Sequence, residues 1–380
     1  MKINIEKNDL FYAVQVVVRA VSNKNTLPIL SGILLDAHNN TLSLKATDLD
    51  LAMECSVSAD VIEEGQTVVQ GKLFSNMIAL LPNGNIELES NKEKLIIKAE
   101  SEKNESSIKC LDVDEFPMLP IINGNVEGVI PAGVFKRLVR QVSIAVATDE
   151  IRPMFTGMLI KLSNNNITMV ATDTHRLAIG KGGWQGKGEV SLILPCRTMK
   201  EIASLTNNDE DIIKLIANNN EVYFTLNNIT FASRVISGQY PDYQQVLPAD
   251  ALYCSYSVLN KDSKQKLIMA LEMAILITRD SARGKTNIVK LKWQDDQLIL
   301  SADGHDTGDI HVEVPITKEG ENITASYNAR YLLDALKIID DEQIAFHLTG
   351  PTTPGVIIPD GQSRDNSSYI YLVLPMRVSN

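Results

Sequence analysis

Cysteine is scarce in this 380-residue sequence. The four present, Cys55, Cys110, Cys196 and Cys254, are far apart and form no CxxC pair. That spacing excludes a zinc ribbon or a local disulfide framework and points to reduced thiols in a cytoplasmic protein. No run of 18 apolar residues occurs, so no membrane-spanning helix is expected. The opening MKINIEKNDL lacks the apolar core of a secretion signal. Positive charge is in deficit: the formal net charge is −11. A chain this acidic does not hold nucleic acid by gross attraction, although a basic face on an acidic body remains open to it.

Catalytic signatures are missing as well. His175 stands between Asp173 and Arg176, but no GxSxG elbow supplies a nucleophile for it. The glycine-rich run Gly180–Gly188 fails as a phosphate loop, because Gly188 follows Lys187 where Ser or Thr is needed; a hairpin loop is expected there. His38, His305, His311 and His347 show no metal-ligand spacing, and Asp209-Glu210-Asp211 reads as a solvated loop. No catalytic residue, metal or cofactor is expected.

What the sequence does contain is itself, three times over. LSLKATDL (42–49) and ITMVATDT (167–174) are alternating apolar strands ending in Ala-Thr-Asp, with Ala46 and Ala171 125 residues apart (171 − 46). LILSADGH (298–305) is a diverged third copy. A second landmark follows each first one: TVVQGKLFSNMIALL (67–81), SLILPCRTMKEIASL (191–205) and NITASYNARYLLDAL (322–336), each a strand running into an amphipathic helix. Helices also open the repeats at 8–21, 134–146 and 264–277. The first has Leu10, Phe11, Val14, Val17, Val18 and Val21 on one stripe and Asn8 as its expected cap. Hairpin turns are expected at His38-Asn39-Asn40, Asn83-Gly84-Asn85, Asn164-Asn165-Asn166 and Asp295-Asp296. The fold class is α+β: three similar domains, 1–124, 125–250 and 251–380, each with two helices backed by antiparallel sheet.

Cations recur on those helices: Arg19, Lys24, Lys136, Arg137, Arg140, Lys264 and Lys266 at the first helices, and Lys72, Arg197, Lys200, Arg330 and Lys337 at the second. If equivalent helices face one way, they make a single basic surface suited to phosphates. Nothing in the sequence reads bases, so backbone contact without sequence preference is expected.

ATDTHRLA (171–178), YPDYQQVLP (240–248), the terminal YLVLPMRV (371–378) and TLPILSGILL (26–35) together closely resemble the beta subunit of bacterial replicative DNA polymerase, the DNA sliding clamp family. The resemblance covers essentially the whole chain. It implies a non-catalytic processivity factor, a head-to-tail homodimer forming a six-domain ring around duplex DNA. Lys24, Lys72, Lys136, Arg137, Arg140, Arg197, Lys200 and Arg330 would face the DNA. A partner-peptide pocket between the second and third domains would use Thr172, Thr174, His175, Arg176, Leu177, Pro241, Val246, Leu372, Leu374, Pro375, Met376 and Arg377. Ser106 and Ile108 of one chain would meet Leu276 and Ile277 of the other. The implied partners are the replicative polymerase, the clamp loader and repair polymerases. Thr174, Gln245 and Ala282 depart from residues common in the family and bear on peptide preference. A monomeric scaffold of the same repeated domain and a hydrolase using His175 are the alternative readings.

Overall fold

The computed structural model describes every residue except 23–26, 101–104, 118–123, 150, 279–286, 305–306, 364–365 and 378–380. Its α-helices fall in pairs along the chain: α1 (Lys7–Val17) and α2 (Gly71–Leu80), α3 (Ala132–Ser143) and α4 (Cys196–Leu205), α5 (Lys261–Thr278) and α6 (Ala329–Ile338). Antiparallel strands fill the intervals, as the repeat pattern predicts.

Each helix is made by an apolar stripe. In α1, Leu10, Ala13, Val14 and Val17 are buried, and in α3 Phe135, Leu138, Val139 and Val142 recur at i, i+3, i+4, i+7. Each large aliphatic or aromatic side chain so covered contributes about 1.5–3 kcal/mol. The start of α1 differs from expectation. Asn8 is not its cap; Glu6 is, without a side-chain bond. The strand Lys2–Glu6 runs straight into the helix, and the Lys7 N–H donates to the Gly84 carbonyl at 2.9 Å. A neighbouring segment thus satisfies the first of the helix's unpaired amides.

Three of the four expected hairpin turns fall where asparagine and aspartate predict them; Asn83-Gly84-Asn85 instead joins α2 to the strand Asn85–Ser90, because a helix and not a strand precedes it. Asn39, Asn40, Asn164, Asn165 and Asp295 all have positive φ, the geometry of tight two-residue turns. The Gly180–Gly188 run is not a simple loop. It ends one strand (Arg176–Gly183) and forms another (Gln185–Lys187) around the buried Trp184. A Cβ at Gly128 or Gly186 would stand 2.4 or 2.3 Å from the indole, so these glycines make room for the ring.

The chain packs as two compact units: residues 1–136, 184–190 and 197–235, and residues 137–183, 191–196 and 236–380. The first holds a 14-stranded sheet, and the second holds sheets of nine and four strands. In both units the last strand of one repeat pairs with the strand that follows the Ala-Thr-Asp turn of the repeat before it. Ile229–Arg234 pairs with Leu51–Ser58 in the first unit. Tyr369–Val373 pairs with Arg176–Gly183 in the second.

Candidate partner-docking site and cationic helix faces

The Ala-Thr-Asp motif builds the same turn twice. In repeat 2 the Thr172 hydroxyl donates to the Arg176 carbonyl at 2.7 Å and accepts from the Thr174 N–H at 3.1 Å. Asp173 Oδ1 accepts from the amides of His175 and Arg176, each at 3.0 Å. Repeat 1 uses Thr47 towards Leu51 and Leu49, and Asp48 towards Asp50 and Leu51. Thr174 and Leu49 both take positive φ, at 77° and 78°. Thr and Asp are therefore required at these positions as local caps on a strained turn, not as catalytic groups. Because Asp173 spends its carboxylate on two amides and on Arg176, it is not an orienting partner for the His175 ring.

The chain's terminal segment lies against this turn. Leu177 pairs with Leu372 and Arg176 with Val373 in the sheet. The Leu374 N–H donates to the His175 carbonyl at 2.9 Å, and the Met376 N–H to Ser326 at 2.7 Å. Leu177, Leu372 and Tyr243 are buried in one apolar cluster with Val170, Ile179 and Ile370, flanked by Met154, Tyr240 and Leu247. At its margin Val246 is 53% and Leu374 36% exposed. Pro241, His175 and Arg377 are exposed; Thr172, Thr174, Pro375 and Met376 are half-buried. The twelve residues expected at the pocket thus belong to the turn, the Tyr243–Val246 3₁₀ segment with its preceding proline, and the tail. Sequence reading missed Tyr243, Tyr331 and Asp334. Tyr331 stacks on His175 with ring centres 6.4 Å apart, and Asp334 binds Arg176 at 2.7 Å. Both come from α6, more than 150 positions away, and no local signal marks them. Arg176, expected in the pocket, is largely covered: its side chain is 11% exposed. Burial alone would lower its pKa, but Tyr371, Asp334 and Asp173 outweigh that and hold it above the ordinary value.

The expected DNA-facing cations divide by what they touch. Arg197 pairs with Asp48 at 2.6 Å and donates to the Arg19 carbonyl at 2.9 Å. Lys136 lies 3.7 Å from Asp209, and Arg140 binds Asp340. Arg137 is half-buried and reaches Gln141 at 3.3 Å. Lys72, Lys200 and Arg330 are exposed and have no ion pair among the described residues. Lys24 and Ala282 lie outside the described residues. At the expected dimer contact, Leu276 is 68% exposed and Ile277 half-buried. Ser106 is half-buried, but Ile108 is buried within its own chain opposite Leu95. Among the described residues no cluster of His, Cys, Asp and Glu could hold a metal, and no helix is long and apolar enough to cross a membrane.

Repeated α+β units, each a pair of helices backed by antiparallel sheet, define a clamp-type protein. The chain belongs to the bacterial DNA polymerase III beta subunit family: the N-terminal, central and C-terminal domain profiles match residues 1–120, 129–242 and 257–377. It is 30% identical to the beta sliding clamp of Bacillus subtilis strain 168, over 99% of this chain and all of the relative. A Staphylococcus aureus beta sliding clamp is 29% identical, over 99% of each chain. The crystal structure of the Bacillus subtilis DNA polymerase sliding clamp superposes with TM-score 0.93 at 28% identity, covering both chains in full. That of the Pseudomonas aeruginosa subunit gives 0.91 at 26%, again over both chains in full. The protein is a sliding clamp of DNA replication, a processivity factor and not a catalyst, acting with DNA and a DNA polymerase.

Proposed function

We propose that two copies close head to tail into a ring that encircles duplex DNA, with three domains per chain bounded near residues 124 and 250. The strand pairing carries this reading. Twice within the chain, a repeat's last strand completes the sheet of the repeat before it. Asp309–Pro315, the corresponding strand of repeat 3, is an edge of its four-stranded sheet. Glu105–Leu111, the last strand of repeat 1, pairs with Lys94–Ala99 and touches Gly65–Gln70 only at Cys110 and Leu111. A second copy supplies each edge with the strand it lacks. An open edge is otherwise a hazard that proteins cover. Carrying over the registers of the two internal junctions sets Ser106 opposite Ile310 and Ser107 opposite Asp309. Helix surfaces support the same contact. Met269, Met273 and Leu276 form an exposed i, i+4, i+7 stripe on α5, and α2 exposes Leu73 and Leu80 beside the half-buried Met77. In this arrangement Ile108 backs the interface from within its own chain, and Leu276 makes the contact.

A closed ring needs little affinity for DNA, which reconciles a net charge of −11 with the work. The cationic helices face the duplex and touch phosphates without reading sequence. Polymerase, clamp-loader and repair-polymerase segments dock through Leu and Phe anchors at the turn–tail surface framed by Leu177, Pro241, Val246 and Leu374. The protein works in the cytoplasm. Loaded onto nicked circular DNA, it stays bound after gel filtration in moderate salt and is lost once the circle is linearised. Equal loss from both forms would refute topological binding.

A further inference from the structure

The turns Thr47–Leu51 and Thr172–Arg176 are built alike, yet each is fastened to the next repeat by a different arginine. In repeat 1, Leu51 stands where repeat 2 has Arg176, and Asp48 is met from outside by Arg197, the second residue of α4. In repeat 2 the turn supplies its own arginine. The Arg176 guanidinium donates to Asp173 at 2.9 Å and to Asp334 of α6 at 2.7 Å, and lies 4.3 Å from the centre of the Tyr331 ring. Arg330, which matches Arg197 in sequence, has no ion pair among the described residues. One electrostatic tie is thus made from opposite sides at the two junctions.

The origin of the arginine decides what it organises. Arg176 is shielded beneath the turn, so it does not belong to the surface a partner touches. Its neighbours do. The Tyr331 ring neighbours both the guanidinium and the exposed His175 ring. The Tyr371 hydroxyl donates to the Tyr331 carbonyl at 2.9 Å, joining the tail strand to the same helix. A planar guanidinium that bridges two carboxylates and stacks on a ring fixes three groups at once, which an ammonium cannot do. We infer that Arg176 is a positioning residue for partner docking: it locks α6, the His175 ring and the tail strand into one rigid surface without contacting the docked peptide.

This inference rests on the turn–tail surface being the docking site, and three variants separate the two claims. Arg176→Lys keeps the charge and loses the fork; Asp334→Asn removes the same tie from its other end, which covers the case in which Arg176→Lys fails to fold. Leu374→Asp spoils the surface itself. Affinity is read by fluorescence anisotropy with a labelled peptide carrying Leu and Phe anchors, and the His175 imidazole resonances by NMR. Arg176→Lys and Asp334→Asn should each weaken binding about tenfold, move the His175 resonances, and leave the oligomer mass unchanged. Their combination should be no worse than either alone, because both remove one tie. Unchanged affinity in both, or additive losses with unmoved His175 resonances, overturns the inference while Leu374→Asp still abolishes binding. If Leu374→Asp also binds normally, the docking site itself has been misplaced and the inference falls with it.

Discussion

Arg197 and Arg330 hold the second position of equivalent helices, α4 and α6, and differ in how free they are. Arg197 spends its charge on Asp48; Arg330 has no such partner among the described residues. Neutralising Arg330 should shorten retention on circular DNA and leave the melting temperature unchanged. Arg197→Ala should instead cost up to about 1 kcal/mol of stability, the scale of a partly exposed ion pair. Equal effects of the two on retention and melting, followed by calorimetry, would mean that the pairing does not sort them. His347 offers a second test at this scale. It lies between Tyr253 and Tyr256, with ring centres 4.8 and 4.9 Å away, and its Nε2 is buried without a hydrogen-bond partner among the described residues. Burial lowers its pKa, against the opposing pull of Asp250 and Asp360. The unfolded chain therefore takes up the proton first, near the ordinary value of about 6.5. Stability is complete above that pH and declines as pH falls from there through the lower folded-state value. Urea midpoints should drop between pH 7.5 and 5.5, and His347→Gln should flatten that slope.

Among the elements, the tail shows how far a short segment can act alone. Tyr369–Val373 is buried in the nine-stranded sheet, while the residues after it rest on the turn and on Ser326 through two backbone bonds. Removing residues 374–380 leaves that strand and all of repeat 1 in place. The truncated chain should keep its oligomer mass in sedimentation and lose affinity for a Leu- and Phe-bearing peptide. One lost anchor contact is worth roughly 1.5–3 kcal/mol, a factor of about 10 to 150. Full affinity in a folded truncation would move the docking site away from the tail. The motif itself was legible as a recurring strand end, because Thr and Asp cap amides two and three residues away. Asn8 misled because the helix begins one residue before it, at Lys7, whose amide is answered by Gly84, more than 70 positions on. Helix ends near other backbone do not need the cap that their sequence offers.

For the whole molecule the open question is closure, and it turns on two unfinished edges. The α5 stripe of Met269, Met273 and Leu276 is apolar and uncovered within the chain, as is Leu80 of α2. Either Leu276→Asp or Ile277→Asp should give a folded monomer in sedimentation, with near-native circular dichroism, that no longer stays on circular DNA. An intact dimer in both variants would place the contact elsewhere. The two compact units do not coincide with the three sequence repeats. Sheets continue from one repeat into the next, so backbone pairing joins what the repeat pattern separates.

The sequence by itself determined the threefold repeat, the helix–strand order, three of the four hairpin turns, the recurring Ala-Thr-Asp motif and the kinship with sliding clamps. All of these depend on residues close together in the chain: periodicity, caps and turn chemistry act over a few positions. Tertiary structure alone decided which arginine ties each junction, that Arg176 lies beneath the surface, that Tyr331 backs His175, and that Ile108 is already buried. Those outcomes follow from pairings of residues 149 and 158 positions apart, as with Asp48–Arg197 and Arg176–Asp334. Local pattern carries no record of such contacts, because the geometry of the packed sheets brings the partners together.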